Sequence, residues 1–192
     1  MAHTRKLLPT EGPLLADHFI RLNPDDRRLR FGGLFMHDDV LKRYAASLDW
    51  NHACHIGWFE GGVLRGMAQL TVASRTVDAG PPWLRPGAGE FGVSVEQPWR
   101  RLGVATQLIG QAIAVARNRH VRDLYLLCRR ENEPMRRLAR KLGFHLAYDE
   151  GEVLGHIALS APDHDTALAE GAIEAAGTAR QWTGRATPQA AG

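Results

Sequence analysis

The chain of 192 residues is 44% hydrophobic and 23% charged, with a formal net charge of +3. These values describe one globular domain that is large enough to bury a substantial core. No apolar run approaches the length of a membrane span, and the N-terminus lacks the apolar core of a signal peptide, so we expect no membrane partner. The modest positive charge permits contact with nucleic acid without arguing for it, and we expect no nucleic-acid partner.

The first half of the chain predicts helices and then a hairpin. One helix is expected to end near residue 22, a short basic one has Asn23 as its cap and Pro24 at its first position, and a third begins at residue 38 or 39. Strand-like residues 52–59 and 63–72 are joined by a Glu-Gly-Gly turn. The loop over residues 73–89 is long enough to be functional. Its Trp83 could cover a ligand, although packing on the neighbouring strand is the commoner role for such a side chain.

The centre of the chain changes its hydrophobic period from two to between three and four. Alternation over residues 90–95 predicts a strand with Phe91, Val93 and Val95 on one face and Glu90, Gly92 and Ser94 on the other. The strand should stop before Pro98, and Glu96 is expected to be exposed. Apolar residues then recur at helical spacing over residues 102–116, which predicts an amphipathic helix with Gly103 at its start.

The second half continues with a strand, a helix and a hairpin. The nearly continuous apolar run at residues 123–128 predicts a strand buried on both faces, parallel to the central strand through a right-handed crossover. A helix begins at Asn132 and ends at Gly143 in a left-handed cap. A hairpin over residues 145–149 and 153–159 follows. We expect residues 1–159 to form one domain and the Ala/Gly-rich residues 160–192 to form a flexible tail that is disordered or at most one loose helix.

The cysteine and histidine residues indicate a reduced, metal-free chain. Cys54 and Cys128 lie in apolar strands, so two buried thiols are expected rather than a disulfide, which suits a cytoplasmic protein. His52 and His55 are three residues apart on a strand and therefore face opposite sides, which makes them poor ligands for one ion. No metal site is predicted.

The junction between the central strand and helix has the features of an anion site. The first amides of the helix have no intrahelical acceptor, the helix dipole adds positive potential, and Gly103 allows close approach of a phosphate. Arg100 and Arg101 add charge beside it. The alternative is an ordinary turn whose arginines are merely solvated. Dinucleotide and P-loop sites are disfavoured, because neither a Gly-x-Gly-x-x-Gly nor a Gly-Lys-Ser/Thr motif occurs here.

Two segments resemble the GNAT superfamily of acyl-CoA-dependent N-acyltransferases. Arg-Arg-Leu-Gly-Val-Ala at residues 100–105 is similar to the loop that holds the CoA diphosphate in that family. Residues 132–144 resemble the family's second segment, with Asn132 and the Gly143-Phe144 pair in matching places. The closest likeness is to bacterial protein-lysine acetyltransferase domains. The resemblance implies an α/β (α+β mixed) fold: a mostly antiparallel mixed sheet with a central parallel strand pair and helices on both faces.

The resemblance also implies a site for acetyl-CoA as co-substrate, without a metal. The amides of residues 102–106 would hold the diphosphate, and backbone near residues 93–95 would bind the pantetheine arm as an added strand. Glu90 is the expected general base, the alternative being an ion pair with an arginine. The expected CoA-binding residues are Val93, Ser94, Val95, Arg100, Arg101, Leu102, Gly103, Val104, Ala105, Thr106 and Asn132.

The expected function is N-acetyl transfer from acetyl-CoA to an amine of a small molecule or a protein lysine. One departure from the family pattern is Ala139, which stands where many members have a tyrosine that protonates the leaving thiolate. It motivates the alternative of a CoA-binding regulatory module without turnover. The sequence does not identify the acceptor, and it is compatible with a homodimer without deciding the oligomeric state.

Overall fold

The computed structural model describes residues 1–32, 36–73 and 84–184, so Trp83 lies outside the described residues. The described residues form six helices: α1 (Gly12–Arg21), α2 (Pro24–Arg30), α3 (Asp38–Ala46), α4 (Val104–Asn118), α5 (Glu133–Lys141) and α6 (His164–Gly184). They also form seven strands: β1 (His3–Lys6), β2 (Ala53–Glu60), β3 (Val63–Val72), β4 (Gly89–Val95), β5 (Asp123–Arg129), β6 (His145–Asp149) and β7 (Glu152–Ala158).

The strands build one mixed sheet in the order β1-β2-β3-β4-β5-β7-β6. Only β4 and β5 run parallel, and all the other neighbours are antiparallel. This arrangement confirms the predicted sheet with its central parallel pair. The sequence did not predict β1, because its four mostly polar residues carry no periodic signal and it is formed by pairing with β2.

Each face of the sheet has its own hydrophobic core. On one face, Phe91 and Val95 of β4 pack with Leu108 and Ile109 of α4, as the alternation and the helical spacing predicted. On the other face, α1 and α3 enclose a second core that includes Phe19. The two cores confirm helices on both faces of the sheet, with α4 on one face and α1 and α3 on the other.

Strand β5 differs from its prediction. Leu124, Leu126 and Cys128 are buried, but Leu127 on the other face is 40% exposed, so β5 is not buried on both faces. The physical reason is that α1 packs on β3 and leaves this side of β5 partly open. Leu127 instead lines a cleft next to β4.

Helix α6 replaces much of the expected flexible tail. Ile173 is 2% exposed and belongs to the core beneath α4. A Cβ on Gly177 would lie 3.2 Å from the Lys6 carbonyl oxygen, so small residues allow the helix to approach β1 closely. Asn118 of α4 also donates to Glu170 Oε2 at 2.7 Å. His164–Gly184 therefore forms a packed helix where the sequence allowed at most a loose one, and a domain boundary at residue 159 stays a prediction.

Replacing Ile173 with Ala tests the packing of α6. The side chain fills a closed site, so we expect the free energy of unfolding to fall by roughly 2–4 kcal/mol. Leu168 is on the same helix and is 59% exposed, so Leu168→Ala should change it by less than about 0.5 kcal/mol. Urea unfolding of the parent and of both variants measures these changes in the free energy of unfolding. Equal, small effects would contradict the packed position of α6.

His55 is a buried, neutral histidine of β2. It is 1% exposed, its ring centroid lies 4.4 Å from that of Trp50, and neither ring nitrogen has a hydrogen-bond partner among the described residues. Burial lowers the pKa of His55 to about 4, and the positive charge of Arg30 acts in the same direction. Protonation therefore favours the unfolded chain, so the stability that His55 contributes is complete above pH 6.5 and is lost as the pH falls toward 4.

Substituting His55 with Leu should weaken the acid sensitivity of the fold. Between pH 7 and pH 5 we expect this histidine alone to lower the free energy of unfolding by roughly 2 kcal/mol. Urea unfolding at both pH values should show a smaller decrease in His55→Leu than in the parent. The exposed His145 provides a control, because His145→Leu should keep the full decrease. An unchanged decrease in His55→Leu would contradict the neutral, buried ring.

Both cysteines are free and buried, which confirms the prediction of two separate thiols. Within the described residues, no helix has the length and apolar character needed to cross a bilayer. The same residues contain no group of three or more His, Cys, Asp or Glu side chains placed to hold a metal ion.

Candidate active site

The central feature of the site is a cleft where the parallel strands separate. β4 and β5 pair only at Gly89 with Leu124 and at Glu90 with Tyr125. Beyond these pairs, β4 stays bonded to β3 and β5 to β7, so the facing edges of the two strands diverge. The resulting cleft has a volume of about 1030 Å³ and is lined by residues 90–95, the N-terminus of α4 and the start of α5. An edge of unpaired strand is therefore open to a ligand along residues 91–95.

The N-terminus of α4 opens into this cleft. Gly103 precedes the helix with φ 82° and ψ −2°, a left-handed conformation that glycine adopts without steric cost. In the described part of the chain, no side chain caps α4. A Cβ added to Gly103 would meet no atom within 4 Å. The first amides of the helix thus have no partner among the residues of known placement, and they face a space that suits an anion.

The structure brings the predicted site residues together with one exception. The exception is Leu102, whose side chain is 69% exposed and does not line the cleft. The residues that line it are Glu90, Val93, Ser94, Val95, Arg100, Arg101, Gly103, Val104, Ala105, Thr106 and Asn132. Leu102 can therefore contribute its backbone amide but not its side chain.

The two arginines before Gly103 are placed differently. Arg100 donates from Nε to the Val95 carbonyl oxygen at 2.9 Å and forms an ion pair with Asp26 of α2. Its side chain therefore ties the end of β4 to α2. Arg101 has φ 65°, is exposed and forms no ion pair with any described residue. Of the two, Arg101 is the cation that remains available beside the helix N-terminus.

Glu90 lies at the point where β4 and β5 begin to separate. Its carboxylate forms no ion pair or hydrogen bond with a described residue, so no arginine of the described ranges pairs with it. Burial raises the pKa of the Glu90 carboxyl, and the positive charge of Arg30 offsets part of this effect. A half-buried carboxylate of raised pKa that lines a cleft has the properties of a general base.

A buried polar network beneath the cleft was not predicted. Ser94 Oγ lies 2.8 Å from His18 Nε2, and Glu96 Oε1 lies 3.3 Å from His18 Nδ1. Arg21 and Arg65 donate to the Glu96 carboxylate at 2.8 and 3.0 Å. Glu96 is 5% exposed, which corrects the expectation that it is exposed.

The protonation states of this network follow from its surroundings. Burial lowers the pKa of His18 more than Glu96 raises it, so the ring is neutral. Burial disfavours the charged form of Glu96, but hydrogen bonds from His18, Arg21 and Arg65 outweigh it and hold its pKa below the usual range. Glu96 therefore accepts from Nδ1–H, and Nε2 accepts from the Ser94 hydroxyl. The network fastens α1 to the end of β4.

The start and the middle of α5 complete the wall of the cleft. Asn132 caps the helix by accepting from the Met135 amide at 3.2 Å, as predicted. Gly143 has φ 89°, and the Phe144 amide donates to the Ala139 carbonyl oxygen at 3.0 Å, which confirms the left-handed C-cap. Ala139 is 1% exposed and offers no proton donor. No tyrosine is found among the described residues that line the cleft.

The comparisons with known proteins agree with this geometry. The model of the acetyltransferase (GNAT) family matches residues 20–144, more than half of the chain. The GNAT domain of S. lividans PAT is 19% identical, with a TM-score of 0.68 over 82% of this chain and 90% of that one. The ribosomal-protein-S18-alanine N-acetyltransferase from Escherichia coli is 16% identical, with a TM-score of 0.62 over 86% and 98%.

A third solved structure, yncA from Salmonella typhimurium with its cofactor acetyl-CoA, is 16% identical, with a TM-score of 0.59 over 85% of this chain and 99% of that one. At these identities the solved structures show a shared fold, while the family match spans both the α4 N-terminus and the start of α5. The chain belongs to the acetyltransferase (GNAT) family and is an acyl-CoA-dependent N-acetyltransferase.

Proposed function

We propose that the protein transfers the acetyl group of acetyl-CoA to a primary amine, either on a small molecule or on a protein lysine. The observation that carries this proposal is the N-terminus of α4, which no described side chain caps and which opens into the cleft between β4 and β5. A helix N-terminus binds a diphosphate, and an unpaired strand edge binds an amide-bearing chain. The two features lie in one cleft, in the order that a CoA molecule requires.

The residues that would hold acetyl-CoA follow from this arrangement. The amides of residues 103–106 would bind the diphosphate, and Arg101 would add positive charge beside it. The backbone of residues 93–95 would bind the pantetheine arm, and Asn132 lies across the cleft. When bound, acetyl-CoA supplies an acetyl group on a thioester that an uncharged amine can attack.

Glu90 would prepare the acceptor. An amine is mostly protonated at neutral pH and must lose a proton before it can act as a nucleophile. The raised pKa of Glu90 brings this carboxylate closer to the ideal strength of a base, and its position on the cleft wall gives it access to the acceptor. The described cleft offers no tyrosine hydroxyl to protonate the departing sulfur. Because thiols ionise near ~8.5, departure without a protein acid is chemically accessible.

The activity of one structural neighbour is informative about the class of acceptor. The Escherichia coli protein is a ribosomal-protein-S18-alanine N-acetyltransferase, so an amine of a protein is within the range of this fold. A small amine would fit the same cleft. Both a protein amine and a small amine are therefore acceptors to be tested.

Thiol release from acetyl-CoA tests the proposal across a panel of small amines and lysine-containing peptides. We expect release that depends on both the enzyme and at least one amine. The competing function, a CoA-binding module without turnover, is motivated by Ala139. It predicts that acetyl-CoA raises the melting temperature while no amine in the panel causes thiol release.

A further inference from the structure

Arg30, the last residue of α2, is held against β4 next to Glu90. Its guanidinium carbon and nitrogens lie 3.0–3.2 Å from the position that a Cβ on Gly92 would occupy. The guanidinium carbon is 5.3 Å from the ring centroid of Phe31 and 5.8 Å from that of Phe19. Glycine in the interior of a strand often marks such a close approach. Gly92 thus leaves room for the guanidinium on β4, and the rings of Phe19 and Phe31 lie beside it.

No carboxylate in the described ranges pairs with the guanidinium of Arg30. Its one hydrogen bond among the described residues is a long one, from Nη2 to Gln69 Oε1 at 3.3 Å. Its Nε is buried without a hydrogen-bond partner, and no described carboxylate lies within ion-pair distance. Arg30 nevertheless lines the cleft together with Glu90. A partly buried arginine without a counter-charge in a ligand cleft is suited to bind a carboxylate through two parallel hydrogen bonds.

The position of Arg30 assigns it to the acceptor and not to the CoA diphosphate. Gly92 and Glu90 share one face of β4 and are two residues apart, roughly 7 Å along a strand. The α4 N-terminus lies beyond the opposite end of β4, after Val95 and the turn that follows it. Arg30 is also on the face of β4 that carries Ser94, away from the α4 core. Arg30 therefore serves the end of the cleft where Glu90 acts.

We infer that Arg30 binds a carboxylate of the acceptor, and that the acceptor is a small amine carrying a carboxylate, as a free amino acid does. This inference rests on the proposed function and names the substrate class of the same site. The acceptor's ammonium faces Glu90 while its carboxylate contacts Arg30. In the reaction an N–C bond forms at the acetyl carbon and the C–S bond breaks. One ammonium proton passes to Glu90, and the second proton that the nitrogen loses ends on the departing sulfur through water, so the products are an N-acetyl amino acid and the free CoA thiol. The carboxylate is unchanged throughout.

The experiment compares free amino acids with their carboxamides, which keep the amine and lose the charge. Thiol release is measured at saturating acetyl-CoA, with each rate corrected for the fraction of unprotonated amine. Binding of the same compounds is measured by equilibrium dialysis in the presence of CoA. The variants are Arg30→Gln, Arg30→Lys and Gly92→Ala, whose added Cβ should displace the guanidinium. Arg43→Gln is the matched control, because the Arg43 side chain of α3 is exposed and lies outside the cleft.

We expect the parent protein to prefer at least one acid over its amide by about 10- to 100-fold in kcat/KM, because hydrogen bonds between charged groups have this strength. Arg30→Gln and Gly92→Ala should lose that preference, which is seen as a larger fall in kcat/KM for the acid than for the amide. Arg30→Lys should keep part of it, and Arg43→Gln all of it.

Two results would overturn the inference: equal use of acid and amide by the parent, or an equal loss for both in Arg30→Gln. If acids bind with an Arg30-dependent preference but no amine causes thiol release, the carboxylate site stands and the proposed transfer does not. If other amines are acetylated and no amino acid binds, the transfer stands and the carboxylate site is refuted.

Discussion

Replacing Glu90 with Gln is expected to lower kcat for acetyl transfer by roughly 10²- to 10⁴-fold, the usual contribution of a positioned general base. Gln has nearly the same shape but cannot accept the ammonium proton. Since the carboxylate forms no hydrogen bond or ion pair with a described side chain, the fold and the affinity for acetyl-CoA should change little. Thiol-release kinetics and calorimetric binding of acetyl-CoA separate the two effects. Glu60→Gln, at the end of β2 and outside the cleft, is the control and should retain full activity.

The pH dependence of kcat/KM provides a second test of the role of Glu90. A base must be deprotonated to act, so kcat/KM of the parent should fall on the acid side as Glu90 becomes protonated. Burial raises the pKa of this carboxyl, so the fall should occur at a higher pH than for an exposed glutamate. In Glu90→Gln the inflection that belongs to Glu90 should disappear together with most of the rate, and the remaining rate should follow the ionisation of the amine alone. Unchanged turnover in the variant, or the same inflection in parent and variant, would remove Glu90 as the base.

Replacing Gly103 with Val is expected to weaken acetyl-CoA binding by at least about 100-fold. A β-branched residue is strained at φ 82°, and left-handed backbone costs an L-residue about 1–2 kcal/mol. The added side chain would also occupy the open space in front of the α4 amides. Calorimetric titration with CoA and with pantetheine, which has no diphosphate, should show that only the affinity for CoA is lost.

The matched control for this substitution is Gly110→Ala. Gly110 lies within α4, is exposed, and a Cβ there would meet no atom within 4 Å. Alanine should stabilise the helix by up to about 1 kcal/mol and leave the CoA affinity unchanged. Parent-like binding of CoA by Gly103→Val would contradict the assignment of the diphosphate to the α4 N-terminus.

Sequence reasoning reached those parts of the site that depend on local signals. The alternation in β4, the helical spacing of α4, the Asn132 cap and the left-handed Gly143 each follow from a few consecutive residues. These features were enough to predict where the cleft residues meet, because a parallel pair joined by a helix allows few arrangements.

The missed features depend on contacts between distant parts of the chain. His18 meets Ser94 and Glu96 across the helix–sheet interface, and nothing in the local sequence marks this network. Arg30 ends the short basic helix α2, and nothing in the local sequence shows that Gly92 leaves room for its guanidinium on β4. The packing of α6 was missed for a related reason. Its small residues indicate poor burial in isolation, but they permit close packing against β1.

A crystal structure of the protein with bound CoA would test the central claim most directly. We expect diphosphate oxygens within about 3.2 Å of the backbone nitrogens of residues 103–106, and the pantetheine arm alongside residues 91–95 of β4. A diphosphate held elsewhere, with the N-terminus of α4 left unliganded, would contradict the proposed site.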